Sequence, residues 1–227
     1  MELYTAGTGN GQRAAIAVNE CGVPCKIHVL NLGQGDQKAA DYLKINPTAR
    51  IPTLIDPEGP GGKPLTVTQS WAILMYLCEK TGKFLPADPV ARVRVFQWMA
   101  EGAADYASVN QTIFFLGARM PEKVPDSAIK FYEDRFVNLW RFAEEQLAKT
   151  PYLAGDEITA ADLAVYPIYA GRKALPDHAG LKHLQARGRA DWLAARRAEG
   201  HEARNLTASS HAGVDGRRTL GRAPSVG

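Results

Sequence analysis

Every stretch that reads as β-strand lies before residue 70, and no strand pattern recurs from Val90 onward. Such a chain cannot form one mixed sheet wound through its whole length; it has to build a small sheet first and a helical body afterwards. Residues 1–4 read as a short strand, and the small-residue loop Thr5-Ala6-Gly7-Thr8-Gly9-Asn10-Gly11 follows, with Asn10 placed to cap a helix. Ala14, Ala17, Val18 and Cys21 then recur at helical spacing until Gly22-Val23-Pro24 stops them. Residues 26–30 alternate like a half-buried strand, residues 37–45 form a helix broken by Asn46-Pro47, and strands over 52–56 and 65–68 flank a Gly/Pro turn. Ile73, Leu74, Leu77 and Cys78 share one face of a helix over 70–81. The order is βαβαββα, an α/β unit with one four-stranded sheet.

Composition changes at Gly82-Lys83-Phe84-Leu85-Pro86-Ala87-Asp88-Pro89, and the chain divides there into a unit over 1–82, a linker over 83–89 and an all-α unit over 90–200. In the second unit, helices are expected from Val90 to about Phe115 and over 127–148. Thr159-Ala160-Ala161-Asp162 then opens an apolar run as a reciprocal capping box, which makes Asp162 a folding element rather than a catalyst. At 45% hydrophobic residues the chain suits a globular core, and it has neither an apolar run of about 20 residues nor a basic-then-apolar leader; the expected location is cytoplasmic. Cys21, Cys25 and Cys78 are odd in number and include no CxxC, which argues against a disulfide framework, a zinc cage or a dithiol motif; all three read as small buried hydrophobes. The five histidines form no ligand-spaced cluster, so no metal is expected. From Arg187 on there are eight arginines against four acids, so the net charge of +3 belongs to the tail and the body lacks a basic nucleic-acid footprint.

Two segments carry the chemistry. Ile51-Pro52 opens an apolar β-branched run, and a proline there belongs at a strand's first residue or at an edge. A cis bond at that point turns the main chain of Ile51 outward, where an extended ligand can pair with it as an added strand. Gln69-Ser70 lies at a strand-to-helix junction, whose free N–H groups and positive dipole end favour a carboxylate. Together they suit a small peptide with free carboxylate and amine groups. An edge strand followed by a serine cap is the plainer reading of either half alone.

Leu3-Tyr4, Thr8 to Gly11, Asn46-Pro47, Arg50-Ile51-Pro52, Gln69 to Leu74, Tyr76-Leu77, Gln97-Trp98, Thr150 to Leu153 and Thr159 to Asp162 stand in an order that resembles the cytosolic glutathione transferase family. The chain is most similar to the bacterial Nu-class members, the glutathione-dependent disulfide-bond oxidoreductases, over about residues 1–184. That resemblance implies a thioredoxin-like N-terminal domain, an all-helical C-terminal domain, a homodimer, and glutathione as cosubstrate at the domain junction. It places the Ile51 backbone beside cis Pro52 against the cysteinyl part of glutathione, Gln69 and Ser70 on the γ-glutamyl end, and Gln37 and Arg50 on the glycyl end. A solvated charge beside a turn is the alternative for Arg50.

Transferases of this kind stabilise the glutathione thiolate with Tyr, Ser or Cys after the first strand, but this loop offers Thr5, Thr8 and Asn10. The resemblance points Thr8 and Asn10 at the sulfur, where a donor favours thiolate over thiol; the alternative for Asn10 is a helix cap alone. Tyr4 sits on the strand and is expected to pack. Phe114, Phe115 and Tyr106 line an electrophile pocket or form a core stripe. The expected activity is reduction of small disulfides by bound glutathione, with conjugation of electrophiles and non-catalytic binding as rivals; neither nucleic acid nor membrane is an expected partner. Beyond Leu184 the sequence departs from the family pattern, and residues 201–227 are expected to be an atypical, disordered tail, the product of a frameshift.

Overall fold

A computed structural model of the protein describes residues 1–187. Strands β1 (Glu2–Thr5), β2 (Lys26–Val29), β3 (Thr53–Asp56) and β4 (Leu65–Thr68) form one sheet in the order β2-β1-β3-β4. β1 runs parallel to β2 and antiparallel to β3, and β3 is antiparallel to β4. Helices α1 (Gly9–Cys21), α2 (Ala40–Ile45) and α3 (Ser70–Thr81) complete the βαβαββα unit expected from sequence. Leu3 and Leu54 project into a core closed by Ala14, Ala17 and Val18 of α1 and by Ile73, Leu74 and Leu77 of α3. The alanines matter because small side chains let α1 lie close beside α3.

Three local expectations change. The cap of α1 is Thr8, whose hydroxyl accepts from the Gly11 amide at 3.2 Å, and Asn10 lies inside the first turn. Thr8 has the extended backbone a cap needs, whereas Asn10 is already helical. The expected helix over 37–45 divides into a 3-10 turn, Asp36–Lys38, and α2, because Ala39 is extended (φ −62°, ψ 143°). Cys21 and Cys78 are buried as expected, but Cys25 is only half-buried.

The second unit is all-helical among the described residues: α4 (Pro89–Glu101), a π-helical turn (Gly102–Tyr106), α5 (Ala107–Ala118), α6 (Asp126–Leu147), α7 (Ala160–Gly171) and α8 (Ala174–His178). The expected helix from Val90 to about Phe115 is thus one rod with a π turn in it. Asp88 caps α4 by accepting from the Ala91 amide at 2.7 Å, and Pro89 occupies the first helical turn, where its missing N–H is harmless. Phe136, Trp140 and Tyr106 fill the core around α7, which is buried on nearly every side. Asp162 acts as the capping-box partner: its carboxylate accepts from the Thr159 amide (2.8 Å), the Thr159 hydroxyl (3.0 Å) and the Leu153 amide (2.9 Å). Burial pushes that carboxyl up to about 6, but every donor it meets is structural. Residues 188–200 of the expected helical unit, and the whole atypical tail over 201–227, lie outside the described residues.

Candidate active site

Sheet register alone gathers the site. Tyr4 pairs with Thr53 and Thr53 with Thr68, so the end of β1, the start of β3 and the end of β4 lie together at one end of the sheet. The loop with Thr8 and Asn10, the Ile51-Pro52 turn and the Gln69-Ser70 junction therefore emerge side by side. The Ile51-Pro52 bond is cis. Buried Tyr42 and Asn46 clamp this turn: the Tyr42 hydroxyl donates to the Arg50 carbonyl at 2.5 Å, the Asn46 amide donates to it at 2.6 Å, and both also reach the Thr53 hydroxyl. That clamp accounts for Asn46 being 1% exposed in a segment otherwise built of loop.

At the β4–α3 junction Gln69 has φ 71°, a conformation that side-chain-bearing residues rarely adopt. It turns the chain so that Ser70 starts α3 with its hydroxyl inside, 3% exposed. That hydroxyl accepts from the Arg13 guanidinium Nη1 at 2.9 Å. The same Nη1 donates to Asn10 Oδ1 at 2.9 Å, and Nε donates to the Ala164 carbonyl of α7 at 2.6 Å. The guanidinium also stacks over the Trp71 ring at 4.2 Å. Arg13 is 1% exposed and its partners are neutral, so burial pushes it down to about 9, still charged at neutral pH. An unneutralised cation, the N-terminus of α3 and the Ser70 hydroxyl thus form one place for a carboxylate.

Arg13 is absent from the sequence expectations. Its position on the otherwise apolar α1 face, one residue before Ala14, was the available signal. The remaining expected residues fall as follows. Thr8 and Asn10 are exposed at the mouth of the site. Asn10 Oδ1 is engaged by Arg13, which leaves its amide hydrogens to donate outward; the Thr8 hydroxyl accepts from Gly11 and keeps its own hydrogen to give. Pro52 is buried, Ile51 half-buried, and Arg50 and Gln69 are exposed. Gln37 lies half-buried in the 3-10 turn, its Oε1 buried without a partner among the described residues. Tyr4 packs as expected, stacked on His28 at 4.3 Å between centroids. Tyr106 is fully buried against Trp140, so it belongs to the core, whereas Phe114 and Phe115 stay partly exposed on α5. Among the described residues no group of three His, Cys, Asp or Glu side chains is placed to hold a metal.

Gly11 explains how the Thr8 loop lies so close to α1. A Cβ there would sit 2.0 Å from the Ala6 carbonyl oxygen and 2.6 Å from the Thr5 hydroxyl, so only glycine lets the loop fold back on the helix.

Residues 10–80 match the family model described as "Glutathione S-transferase, N-terminal domain", and residues 91–195 match "Glutathione S-transferase, C-terminal domain". The chain is 33% identical over 175 residues to the disulfide-bond oxidoreductase YghU of Escherichia coli strain K12, which covers 74% of this chain and 59% of that protein. It is 30% identical over 168 residues to the disulfide-bond oxidoreductase YfcG of the same organism, covering 74% of this chain and 78% of that one. Among solved structures, a glutathione transferase from Burkholderia graminis with two glutathione molecules bound per subunit superposes with a TM-score of 0.78 at 28% identity, over 90% of this chain and 89% of that chain. The βαβαββα unit, the all-helical unit and these matches agree, and the chain belongs to the glutathione S-transferase family.

Proposed function

We propose that the protein reduces small disulfides with glutathione bound at this site. The observation that carries the reading is the buried Arg13 cation with only neutral partners beside Ser70 and the α3 N-terminus, a charge suited to pairing with the γ-glutamyl carboxylate. Gln69 and Ser70 hold that end, the Ile51 backbone beside Pro52 pairs with the cysteinyl residue, and Gln37 and Arg50 meet the glycyl carboxylate. Thr8 and Asn10 donate to the sulfur, so the thiolate fraction rises near neutral pH. The bound thiolate attacks one sulfur of a disulfide, the other leaves as thiolate, and a second glutathione resolves the mixed disulfide. The protein supplies orientation and charge stabilisation and forms no covalent intermediate.

The same reading divides the chain into a glutathione-binding unit over 1–82, a linker over 83–89 and a helical unit over 90–200. It makes the protein a cytoplasmic homodimer. Val90 and Val93, three residues apart on α4 and more than 60% exposed, support a second copy as the partner. No helix among the described residues is long and apolar enough to cross a membrane.

The test is retention on immobilised glutathione, followed by turnover on a glutathione mixed disulfide and on a chlorodinitrobenzene-type electrophile. Retention with the disulfide as the faster substrate is expected. Faster conjugation would replace the reading with electrophile transfer, and retention without turnover would make the protein a binder.

A further inference from the structure

Tyr42 and Asn46 stand one turn apart at the end of α2, and both bring a donor to the carbonyl of Arg50. A backbone carbonyl has two lone pairs, and here each is met, by the Tyr42 hydroxyl at 2.5 Å and the Asn46 amide at 2.6 Å. The donors are themselves fixed. Having given its one hydrogen to Arg50, the Tyr42 hydroxyl can only accept from the Thr53 hydroxyl (2.9 Å), which in turn accepts the second amide hydrogen of Asn46 (3.1 Å). Asn46 Oδ1 accepts from the Thr48 amide (3.1 Å) and the Thr48 hydroxyl (2.8 Å), and the Asn46 carbonyl accepts from the Ala49 amide (3.1 Å). One residue thus ties the whole turn together, and it holds Ala49 at φ 54°, a conformation that a residue with a side chain keeps only when its surroundings enforce it. Tyr42, Asn46 and Thr53 are 5%, 1% and 0% exposed, so water does not compete for these bonds.

The bond between Arg50 and Ile51 is trans, so its carbonyl and the Ile51 N–H lie on opposite edges of one plane. Two buried donors hold the carbonyl inward, and the N–H is thereby turned away from α2. We propose that, with glutathione as the ligand of this site as inferred above, Tyr42 and Asn46 are positioning residues: by holding the Arg50 carbonyl they present the Ile51 amide to the carbonyl of the cysteinyl residue. Neither side chain touches glutathione. A single donor would leave the peptide plane free to rock, and the second removes that freedom. An added strand pairs through main-chain bonds, so the orientation of this one plane sets where the cysteinyl residue, and with it the sulfur, comes to rest relative to Thr8 and Asn10. The plane is ordered during folding, so its ordering does not weaken binding.

The experiment measures dissociation constants by calorimetry for the full chain as wild type, Tyr42→Phe and Asn46→Ala, each with three ligands. Glutathione has both the cysteinyl carbonyl and the glycyl carboxylate. γ-Glutamylcysteinamide keeps the carbonyl and lacks the glycine, whereas γ-glutamylcysteamine keeps the γ-glutamyl end and the thiol and lacks the carbonyl. Tyr42→Phe retains the ring that packs on Tyr4, 5.9 Å between centroids, and removes one donor. It should weaken glutathione and γ-glutamylcysteinamide by the same factor, about three- to tenfold, and leave γ-glutamylcysteamine unchanged. Asn46→Ala should show the same pattern with a larger factor; if it does not fold, Tyr42→Phe decides by itself. A second readout needs no variant: in wild type, hydrogen exchange of the Ile51 amide should slow on saturation with glutathione or γ-glutamylcysteinamide and not with γ-glutamylcysteamine. Equal weakening of all three ligands would mean that the whole site is deformed, and weakening of glutathione alone that the clamp acts through Arg50 and the glycyl end. Either result would overturn the proposal, as would unchanged affinities or an Ile51 amide that glutathione does not protect. Those outcomes leave glutathione binding by the wild type standing; a wild type that binds none of the three ligands would overturn the glutathione reading and this one with it.

Discussion

Arg13 is held by three neutral oxygens and an indole face, none of which carries a charge to offset the cost of burying its own. Removing the charge therefore ought to separate stability from binding. In Arg13→Met the unliganded protein should melt within a few degrees of wild type, because an uncompensated buried cation and its hydrogen bonds leave together. The rise in melting temperature on adding glutathione should shrink sharply; an undiminished rise would show that Arg13 only bridges the units. Ser70→Ala should weaken glutathione by about 1–3 kcal/mol in calorimetry, the range for losing a hydrogen bond to a charged group. Thr8 and Asn10 differ in a way the sequence reading had reversed. Thr8 is the cap, so Thr8→Ala should lose about 0.5–2 kcal/mol of stability as well as roughly tenfold in disulfide-reductase kcat/KM. Asn10→Ala should lose rate with little loss of melting temperature, and Thr8→Ser, which keeps the hydroxyl, should restore both losses of Thr8→Ala.

At the scale of elements, the hairpin of β3 and β4 is fastened to α3 by one buried carboxylate. Burial alone would raise the carboxyl of Asp56, which is 1% exposed. The Lys80 ammonium and Tyr76 hydroxyl at 2.5 Å and the Glu58 amide at 2.9 Å outweigh it and hold the group below its usual 3.8. The folded-state value is thus the lower one, so the stabilisation is present above pH 3.8 and is lost as pH falls through the folded value. Asp56→Asn should cost stability at pH 7, and the gap from wild type in urea midpoints should narrow as pH falls below 4; a constant gap would mean the contacts act without charge. The elements themselves were legible wherever a period or a stop signal recurs: α3 and β4 fall on the residues expected. The 3-10 turn at Gln37 and the π turn at Gly102–Tyr106 were not legible. Ala39 and Gly102 carry no local breaker strong enough to announce them, and tertiary packing decides both.

Across the whole molecule, the two units share one contact line that sequence periodicity has no means of showing, since its partners are far apart in the chain. Pro52, Gln69 and Ser70 were visible as punctuation at strand ends, whereas Arg13 was marked only by its place on the apolar α1 face, and its role is set by Ala164 and Trp71, which come from distant parts of the chain. Trp71 also touches the π turn: a Cβ on Gly102 would lie 2.5 Å from Trp71 Cη2 and 2.7 Å from Val165 Cγ1. The glycine lets the helical unit close on the tryptophan that backs the guanidinium. Gly102→Ala should cost about 1–3 kcal/mol as an overpacked contact. It should also raise the dissociation constant for glutathione, although residue 102 lies on the helical unit and not in the three loops that converge on the site. A smaller ring in Trp71→Phe should recover part of both losses in the double variant, the non-additivity expected of groups in direct contact. Calorimetric affinity and melting temperature measured on all three variants decide it: losses that simply add would show that Gly102 and Trp71 act separately and that the interface does not set the shape of the site.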